Sequence, residues 1–288
     1  MTTVDTVSYE SRLRPRVGVV SALAGILLFA ASALQATGPQ PKVNEVTVQL
    51  LVTNRRGALE VIGALLNGLG LLGLAGTLAF LFTASRARRP ELSRGALITA
   101  IVGGVLAALG GIAYGVVITI KAHEFATHGA QTYPQANALL GSPGLAALQY
   151  AGLVGSLLLA IAFVLVALNA MRVGLLTKFI GYLGMAAAAA SLLLIGSAPA
   201  MLIEVFWLLA VAYLLSGRWP NGDPPAWKSG QAEPWPSAAE LRGQRQRAPA
   251  GRSRGAPKRA PEPRAEPVAA VTSGTRATTP KRKRKRRK

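Results

Sequence analysis

The residues that could perform acid–base or metal chemistry are few and poorly grouped. The chain of 288 residues has two histidines and no cysteine, which excludes thiol catalysis, disulfides and zinc–thiolate sites. His123 and His128 lie five residues apart, so on a helix they diverge by about 140° and do not share a metal ion. The sequence contains no nucleophile-elbow or P-loop motif, and no G-x-G-x-x-G in the strand–helix–strand context of a dinucleotide-binding site. We therefore predict no enzymatic activity, no metal site and no cofactor.

Two carboxylates, Glu60 and Glu204, border or interrupt otherwise apolar stretches of the chain. Ionisable residues inside a membrane are costly, and they are therefore candidates for function. Asn67, Tyr114 and Gln149 reach a similar depth if these stretches are helices that cross a bilayer. Together the five side chains predict a cavity in the outer half of the protein for a cation, a proton or a polar headgroup. The alternative is that both carboxylates are interfacial and that the other groups only join neighbouring helices.

The apolar stretches themselves predict membrane-spanning helices. A hydrocarbon core of about 30 Å needs roughly 20 apolar residues at about 1.5 Å per residue. Hydrophobic residues make up 51% of the chain and charged residues only 15%, which excludes one ordinary soluble domain. Pro199 separates the last two stretches, although a re-entrant hairpin is an alternative there. The predicted fold is all-α, a polytopic bundle of about six transmembrane helices at 17–36, 58–83, 96–120, 145–170, 179–197 and 200–216.

Basic residues are distributed unequally between the two sides of this predicted bundle. Residues 1–16, 84–95 and 171–178 place nine Lys/Arg on one side, against four on the other (Lys42, Arg55, Arg56 and Lys121). The positive-inside rule then predicts that both termini are cytoplasmic. The first apolar stretch also has features of a signal peptide, but its length favours an uncleaved first span.

The last quarter of the chain differs in composition from the rest. Residues 217–288 contain 11 of the 18 prolines and 19 of the 32 Lys/Arg, with a net charge of +14. Because the segment has no apolar periodicity, it cannot bury enough surface to offset ordering entropy, and we predict a disordered cytoplasmic tail. Its last eight residues are candidates for binding anionic lipid headgroups or nucleic acid: Lys281, Arg282, Lys283, Arg284, Lys285, Arg286, Arg287 and Lys288.

Glycine is unusually frequent in the predicted helices, with 24 of the 31 glycines in residues 1–216. Small residues let membrane helices approach closely. Gly111 and Gly115 form a G-x-x-x-G pair that predicts either a homo-oligomer contact or packing within one bundle. We favour packing within one bundle, because small residues recur on several of the helices.

Two stretches carry a resemblance to a known family. These are the basic connection Met171–Gly181 and the last apolar helix, with Ile203-Glu204-Val205-Phe206-Trp207 and an end at Leu214–Gly217. Over residues 12–218 the chain resembles the DUF4386 family of bacterial multi-pass membrane proteins. The family has a Gly-Glu-Leu-Trp type signature in the last helix, where this chain has Ile203 for the glycine and Val205-Phe206 for the leucine. The resemblance implies the order of the spans and a bacterial inner membrane, and it implies no particular chemistry.

These observations predict a non-enzymatic integral membrane protein of the bacterial inner membrane, with the bilayer as its main partner. Its polybasic tail is expected to contact anionic lipids or another polyanion. The alternative is a small transporter or ligand-binding protein that uses an outer polar cavity around Glu204 and Glu60.

Overall fold

The structure is a computed structural model that describes residues 3–39, 45–128, 130–193, 198–220 and 222–235. The predicted turn at 194–197 and most of the predicted tail, including the basic run from Lys281 to Lys288, lie outside the described residues. The regular secondary structure of the described residues is all helical, with no strand. The helices are α1 (Thr3–Ala36), α2 (Val46–Arg55), α3 (Gly57–Arg88), α4 (Gly95–Thr127), α5 (Tyr133–Leu140), α6 (Pro143–Arg172), α7 (Lys178–Leu193), α8 (Ala198–Leu215) and α9 (Pro225–Ser229).

Four of these helices are long and apolar enough to cross a membrane: Val7–Ala36 within α1, and α3, α4 and α6. Each has 30 to 33 residues, or about 45 to 50 Å of helix. Helices α7 and α8 are also apolar but shorter, with 16 and 18 residues. The predicted all-α fold with membrane-spanning helices agrees with the structure, and four of the six predicted spans fall on these long helices. The fifth and sixth predicted spans fall on α7 and α8, and the count of six stays a prediction.

Six helices form a ring by contact between neighbours. Going round the ring, α1 packs on α3, α3 on α4, α4 on α6, α6 on α7, α7 on α8, and α8 returns to α1. Contacts between α3 and α6 cross the middle of the ring. The helices of the ring alternate in direction along the chain, so the first residues of α1 lie beside the last residues of α3, α6 and α8. We call this the basic end, and the opposite one the far end.

The outer surface of the ring is apolar along the length of the helices. On α4, Ile98, Ile101, Val105 and Leu109 are each more than 40% exposed and recur every three or four residues. Such a stripe is a liability in water, because monomeric soluble proteins rarely expose a long contiguous apolar surface. In a bilayer it is the face that contacts lipid.

Glycines bring the long helices close together inside this ring. A Cβ atom on Gly155 would lie 2.2 Å from the backbone nitrogen of Ala107, and one on Gly110 would lie 2.7 Å from that of Gly152. Gly115, one half of the predicted G-x-x-x-G pair, faces Ala64 on α3. The contact supports packing within one bundle at this residue, as expected from the recurrence of small residues.

Helical structure extends beyond two of the predicted boundaries, and two short helices were not predicted. Helix α1 begins at Thr3 instead of residue 17, because its first turns pack on the basic end instead of remaining outside the bundle. The connections at the far end contain α2 and α5, which cover α4 through a small apolar cluster of Leu50, Ala122, Phe125 and Ala136. The first part of the predicted disordered tail, residues 222–235, instead packs against the bundle and contains α9.

Candidate functional site

Three of the five predicted site residues lie at a similar depth because of how α3, α4 and α6 are packed. Gly115 faces Ala64, and Gly68 faces Ile112, which sets the register of α3 against α4. Gly110 faces Gly152 and sets the register of α4 against α6. This antiparallel register brings Asn67, Tyr114 and Gln149 to nearly the same level in the far half of the ring.

One face of α6 changes character along its length. Gln149, Ser156 and Phe163 recur every seven residues and so share a face of the helix. Phe163 is 2% exposed, and its ring lies edge-on to that of Trp207 with centroids 4.4 Å apart. Ser156 and Gln149 are both exposed. The face that is closed and apolar toward the basic end is therefore open and polar toward the far end.

Helix α3 shows the same change from polar side chains toward the far end to buried apolar side chains toward the basic end. Glu60 and Asn67 are half-buried, and the next position of the same heptad, Leu74, is 1% exposed within the main apolar core. Gly63, between the two polar residues, is buried, yet a Cβ atom there would meet nothing within 4 Å. Space therefore remains beside α3 in the far half, whereas Leu78 and deeper residues are fully packed.

Glu204 continues the buried face of α8. It precedes Trp207 and Leu208, both fully buried, by three and four residues, which places the three on one side of the helix. Glu204 itself is half-buried. The Oγ atom of Ser191 on α7 lies 3.5 Å from its Oε2 atom and also donates a 3.0 Å hydrogen bond to the carbonyl of Ala187.

The two predicted carboxylates differ in how their charge is balanced. Glu60 lies 3.8 Å from the guanidinium of Arg56, which also donates to the carbonyl of Leu34 on α1. Among the described residues, Glu204 has no basic partner. Glu204 is therefore the carboxylate whose charge is unbalanced.

We call this polar part of the ring the vestibule, and define it by residues that lie in its far half: Glu60, Asn67, Tyr114, Gln149, Ser156, Ser191 and Glu204. Within the described part of the chain, the hydrogen bond between Ser191 and Glu204 is the only one that joins two of them. The structure thus places the predicted residues in one half of the bundle without direct contacts between them. Sequence reasoning missed Ser156 and Ser191. Ser156 lies seven residues after Gln149, and Ser191 lies seven residues after Gly184. Residues seven apart share one face of a helix, so this spacing could have indicated both serines.

The basic end has a different kind of polar cluster, which the sequence did not predict. Arg88 on α3 is fully buried and binds Glu10 on α1 through two hydrogen bonds of 2.7 and 2.8 Å. Its remaining donors reach the carbonyl of Ala226 at 2.7 and 3.1 Å and that of Ala84 at 2.8 Å. A buried guanidinium with a bidentate carboxylate and two carbonyls is fully satisfied.

Trp227 of α9 fixes the segment 222–235 to this end. Its indole nitrogen donates a 3.0 Å hydrogen bond to the carbonyl of Leu175, and its ring stacks on Phe80 with centroids 5.8 Å apart. The guanidinium of Arg14 lies 4.7 Å from the same ring and 3.0 Å from the carboxylate of Asp223. We call the segment 222–235 the latch, because it closes the basic end around one tryptophan.

The latch also contacts the connection between α6 and α7. Gly174 has φ of +81°, a conformation that favours glycine, and a Cβ atom there would lie 1.9 Å from the carbonyl oxygen of Glu233. The amide of Glu233 donates a 3.2 Å hydrogen bond to the carbonyl of Val173. Only glycine therefore fits at this crossing.

Basic side chains surround the latch on the outside. None of the exposed ones forms an ion pair with another described residue, so their charges are available to a partner. They come from the first half of α1, from the residue before α4, from the last residue of α6, from the first residue of α7, from the connection after α8 and from the latch: Arg12, Arg16, Arg94, Arg172, Lys178, Arg218 and Lys228.

The two histidines lie at the far end and are exposed. His123 Nδ1 is 3.3 Å from Asn54 Oδ1, and His128 Nδ1 is 2.7 Å from the hydroxyl of Thr127. Among the described residues, no three His, Cys, Asp or Glu side chains are grouped so that they could hold a metal ion.

Comparisons with protein-family models, with curated proteins and with solved structures found no match to this chain. The resemblance to the DUF4386 family therefore stays a prediction, and the residues of the vestibule and of the basic end are the basis for assigning a function.

Proposed function

We propose that this chain is a non-enzymatic integral membrane protein that holds a polybasic tail against the cytoplasmic face of a bacterial inner membrane. The docked latch is the observation that supports it. Trp227 and Asp223 attach the start of the tail to the end of the bundle where the exposed arginines lie. By the positive-inside rule this end is cytoplasmic, and the helices that connect there have the most basic residues.

Charge favours anionic lipid as the partner of the tail. Each Lys or Arg near an anionic surface contributes about 1 kcal/mol, and the chain ends in eight such residues, Lys281 to Lys288. The exposed basic residues around the latch lie where lipid headgroups would be. Nucleic acid is the competing polyanion, but residues 240–288 contain no aromatic side chain for base stacking.

A single cysteine tests this proposal, because the native chain has none. An environment-sensitive fluorophore on Lys288→Cys is followed in lipid nanodiscs of neutral or partly anionic lipid. We expect a blue shift in the anionic nanodiscs alone, which high salt reverses. An equal signal in both lipids, or a shift only when duplex DNA is added, would reject lipid as the partner. Deletion of 281–284, which removes four of the seven basic residues that remain in the labelled run, should weaken the shift.

A second candidate function is ligand binding or transport by the vestibule. The observation that favours it is the change along single helix faces, from Phe163 to Ser156 on α6 and from Leu74 to Asn67 on α3. A bundle that serves only as an anchor does not need polar side chains on these helix faces, because polar groups without a partner are unfavourable in lipid.

Maleimide labelling from the two sides of the membrane tests this second candidate. Ser156→Cys is expected to react with an impermeant maleimide added from the far side, as is His128→Cys at the far end. Ile161→Cys, on the apolar exposed face of α6, is the matched control that lipid should protect. If Ser156→Cys reacts no faster than Ile161→Cys, the vestibule is filled by lipid or closed, and the second candidate is wrong.

A further inference from the structure

Glu204 differs from the other charged groups of the bundle in its surroundings. It lies on the inward face of α8, one turn from the fully buried Trp207 and Leu208. The oxygen nearest to its carboxylate is the hydroxyl of Ser191, at 3.5 Å. A carboxylate among apolar helices is unfavourable unless a positive charge or a proton balances it.

The basic residues of the described chain do not supply that positive charge. Arg56, the basic residue nearest the vestibule in sequence, already pairs with Glu60 and with the carbonyl of Leu34. Arg14 and Arg88 are engaged at the basic end by Asp223 and Glu10. Balance at Glu204 therefore comes from a proton or from a cation that is not part of the chain.

The groups available around Glu204 are oxygen donors. Ser191 places a hydroxyl beside the carboxylate, with its Oγ atom 3.0 Å from the carbonyl of Ala187 and 3.5 Å from Oε2 of Glu204. A hydroxyl has two lone pairs besides its one proton, so this oxygen can also coordinate a cation. Ser156, Asn67 and Gln149 add neutral polar groups that favour water in the same half of the ring. One carboxylate with neutral oxygens matches a hard monovalent cation that keeps part of its water shell.

The packing differs between the two ends of the bundle. Toward the basic end the interior is filled, with Phe163 against Trp207 and with Leu78 and Leu81 fully buried. Beyond that layer the latch covers the end around Trp227. Toward the far end, Ser156 and Gln149 on α6 are exposed.

We propose that Glu204 and Ser191 form a binding site for one monovalent inorganic cation, which enters from the far end through the vestibule. The proposal rests on the second candidate function and gives its ligand a chemical class. The carboxylate supplies the charge, Ser191 supplies a second oxygen, and water in the vestibule completes the coordination.

Equilibrium binding of radioactive sodium and rubidium to the purified full-length protein tests the site. We expect saturable binding of one of them near one ion per chain, lost in Glu204→Gln. Glu124→Gln is the control, since it removes an exposed carboxylate of the far end, outside the vestibule, that Lys121 already balances, and it should keep binding. Ser191→Ala should weaken the affinity without abolishing binding.

Folding of the variants is monitored by gel filtration and thermal unfolding, and Glu204→Asp, which retains the charge, separates loss of charge from loss of fold. A cation at about ten times its Kd also stabilises the protein, so the melting temperature should rise in the wild type and not in Glu204→Gln. Absence of sodium and rubidium binding in the wild type, or equal binding in Glu204→Gln, would overturn the proposal. The vestibule itself would still stand if Ser156→Cys reacted with maleimide, so the two failures are distinguishable.

Discussion

The basic end and the vestibule are both polar regions of an apolar bundle, but they differ in how their polar groups are satisfied. At the basic end the donors of Arg88 meet a carboxylate and two carbonyls, and Trp227 closes the cluster. In the vestibule, Asn67, Tyr114 and Gln149 make no hydrogen bond to another described residue, and Ser156 bonds only to its own helix. The first cluster is satisfied within the chain, whereas the second has polar groups without a hydrogen-bond partner among the described residues.

The largest effect is expected from breaking the ion pair at the basic end. Glu10→Gln leaves Arg88 buried without its counter-charge, and loss of one partner from a buried pair costs about 3–5 kcal/mol. We expect the free energy of unfolding in detergent to fall by about this amount. Glu60→Gln is the control, because its pair with Arg56 is partly exposed and should cost less than about 1 kcal/mol. Equal losses of the free energy of unfolding in Glu10→Gln and Glu60→Gln would contradict the distinction between the basic end and the vestibule.

A smaller loss is expected when the latch is displaced. Gly174→Ala introduces a side chain at φ of +81° and against the carbonyl of Glu233, and such strain costs about 1–3 kcal/mol. The segment 222–235 should then become more sensitive to limited proteolysis than α3 or α6. Gly144→Ala serves as the control, since a Cβ atom there meets nothing within 4 Å. Unchanged cleavage in Gly174→Ala would mean that the latch does not depend on this crossing.

Two substitutions on one face of α6 sharpen the comparison further. Phe163→Leu removes the edge-on contact with Trp207, which is worth about 0.5–1.5 kcal/mol beyond the area it buries. Ser156→Ala, one heptad away, should change the free energy of unfolding by less than about 0.5 kcal/mol. Thermal unfolding of both variants checks this, and a larger loss at Ser156 would show that the vestibule is packed.

The smallest effect is expected at the exposed pair of Arg89 and Glu91, on the connection between α3 and α4. A hydrogen bond from its own backbone amide, and then Arg89 at 2.9 Å, lower the pKa of Glu91 from 4.5. A lowered folded-state pKa stabilises the protein above pH 4.5, and this stabilisation is lost as the pH falls through the folded value. Because the carboxylate is exposed, we expect Glu91→Gln to leave the melting temperature at neutral pH unchanged. The pH at the midpoint of acid unfolding should also change little. A clear shift of that midpoint would contradict the contrast with Glu10.

Apolar composition was enough to predict α3, α4 and α6, because length without charge is a strong indicator of a membrane helix. The ends of the helices were less predictable. The predicted second span stops at residue 83, whereas α3 runs to Arg88, since Glu10 and the carbonyl of Ala226 allow that arginine to be buried. These partners are 78 and 138 residues away in the chain, so no local pattern indicates them.

The site residues were predicted to different degrees. Glu204 and Asn67 stand out in the sequence because polar side chains inside apolar helices are rare. Their placement in one half of the ring follows from glycine contacts such as Gly110 on Gly152, which fix the register of the helices and are not readable from either helix alone. The hydrogen bond from Trp227 to the carbonyl of Leu175 joins residues far apart in the chain, so no local pattern predicts it.

The latch has a consequence for the order in which the protein is assembled. Glu10 is among the first residues to be synthesised, and Arg88 follows once α3 has entered the membrane, but Ala226 and Trp227 come only after α8. While the helices of a growing chain insert, the guanidinium of Arg88 therefore still lacks the carbonyl of Ala226 as a hydrogen-bond acceptor. Final closure at the basic end is a post-insertion step, and a chain that stops at Ser216 would have every long helix and would lack that step.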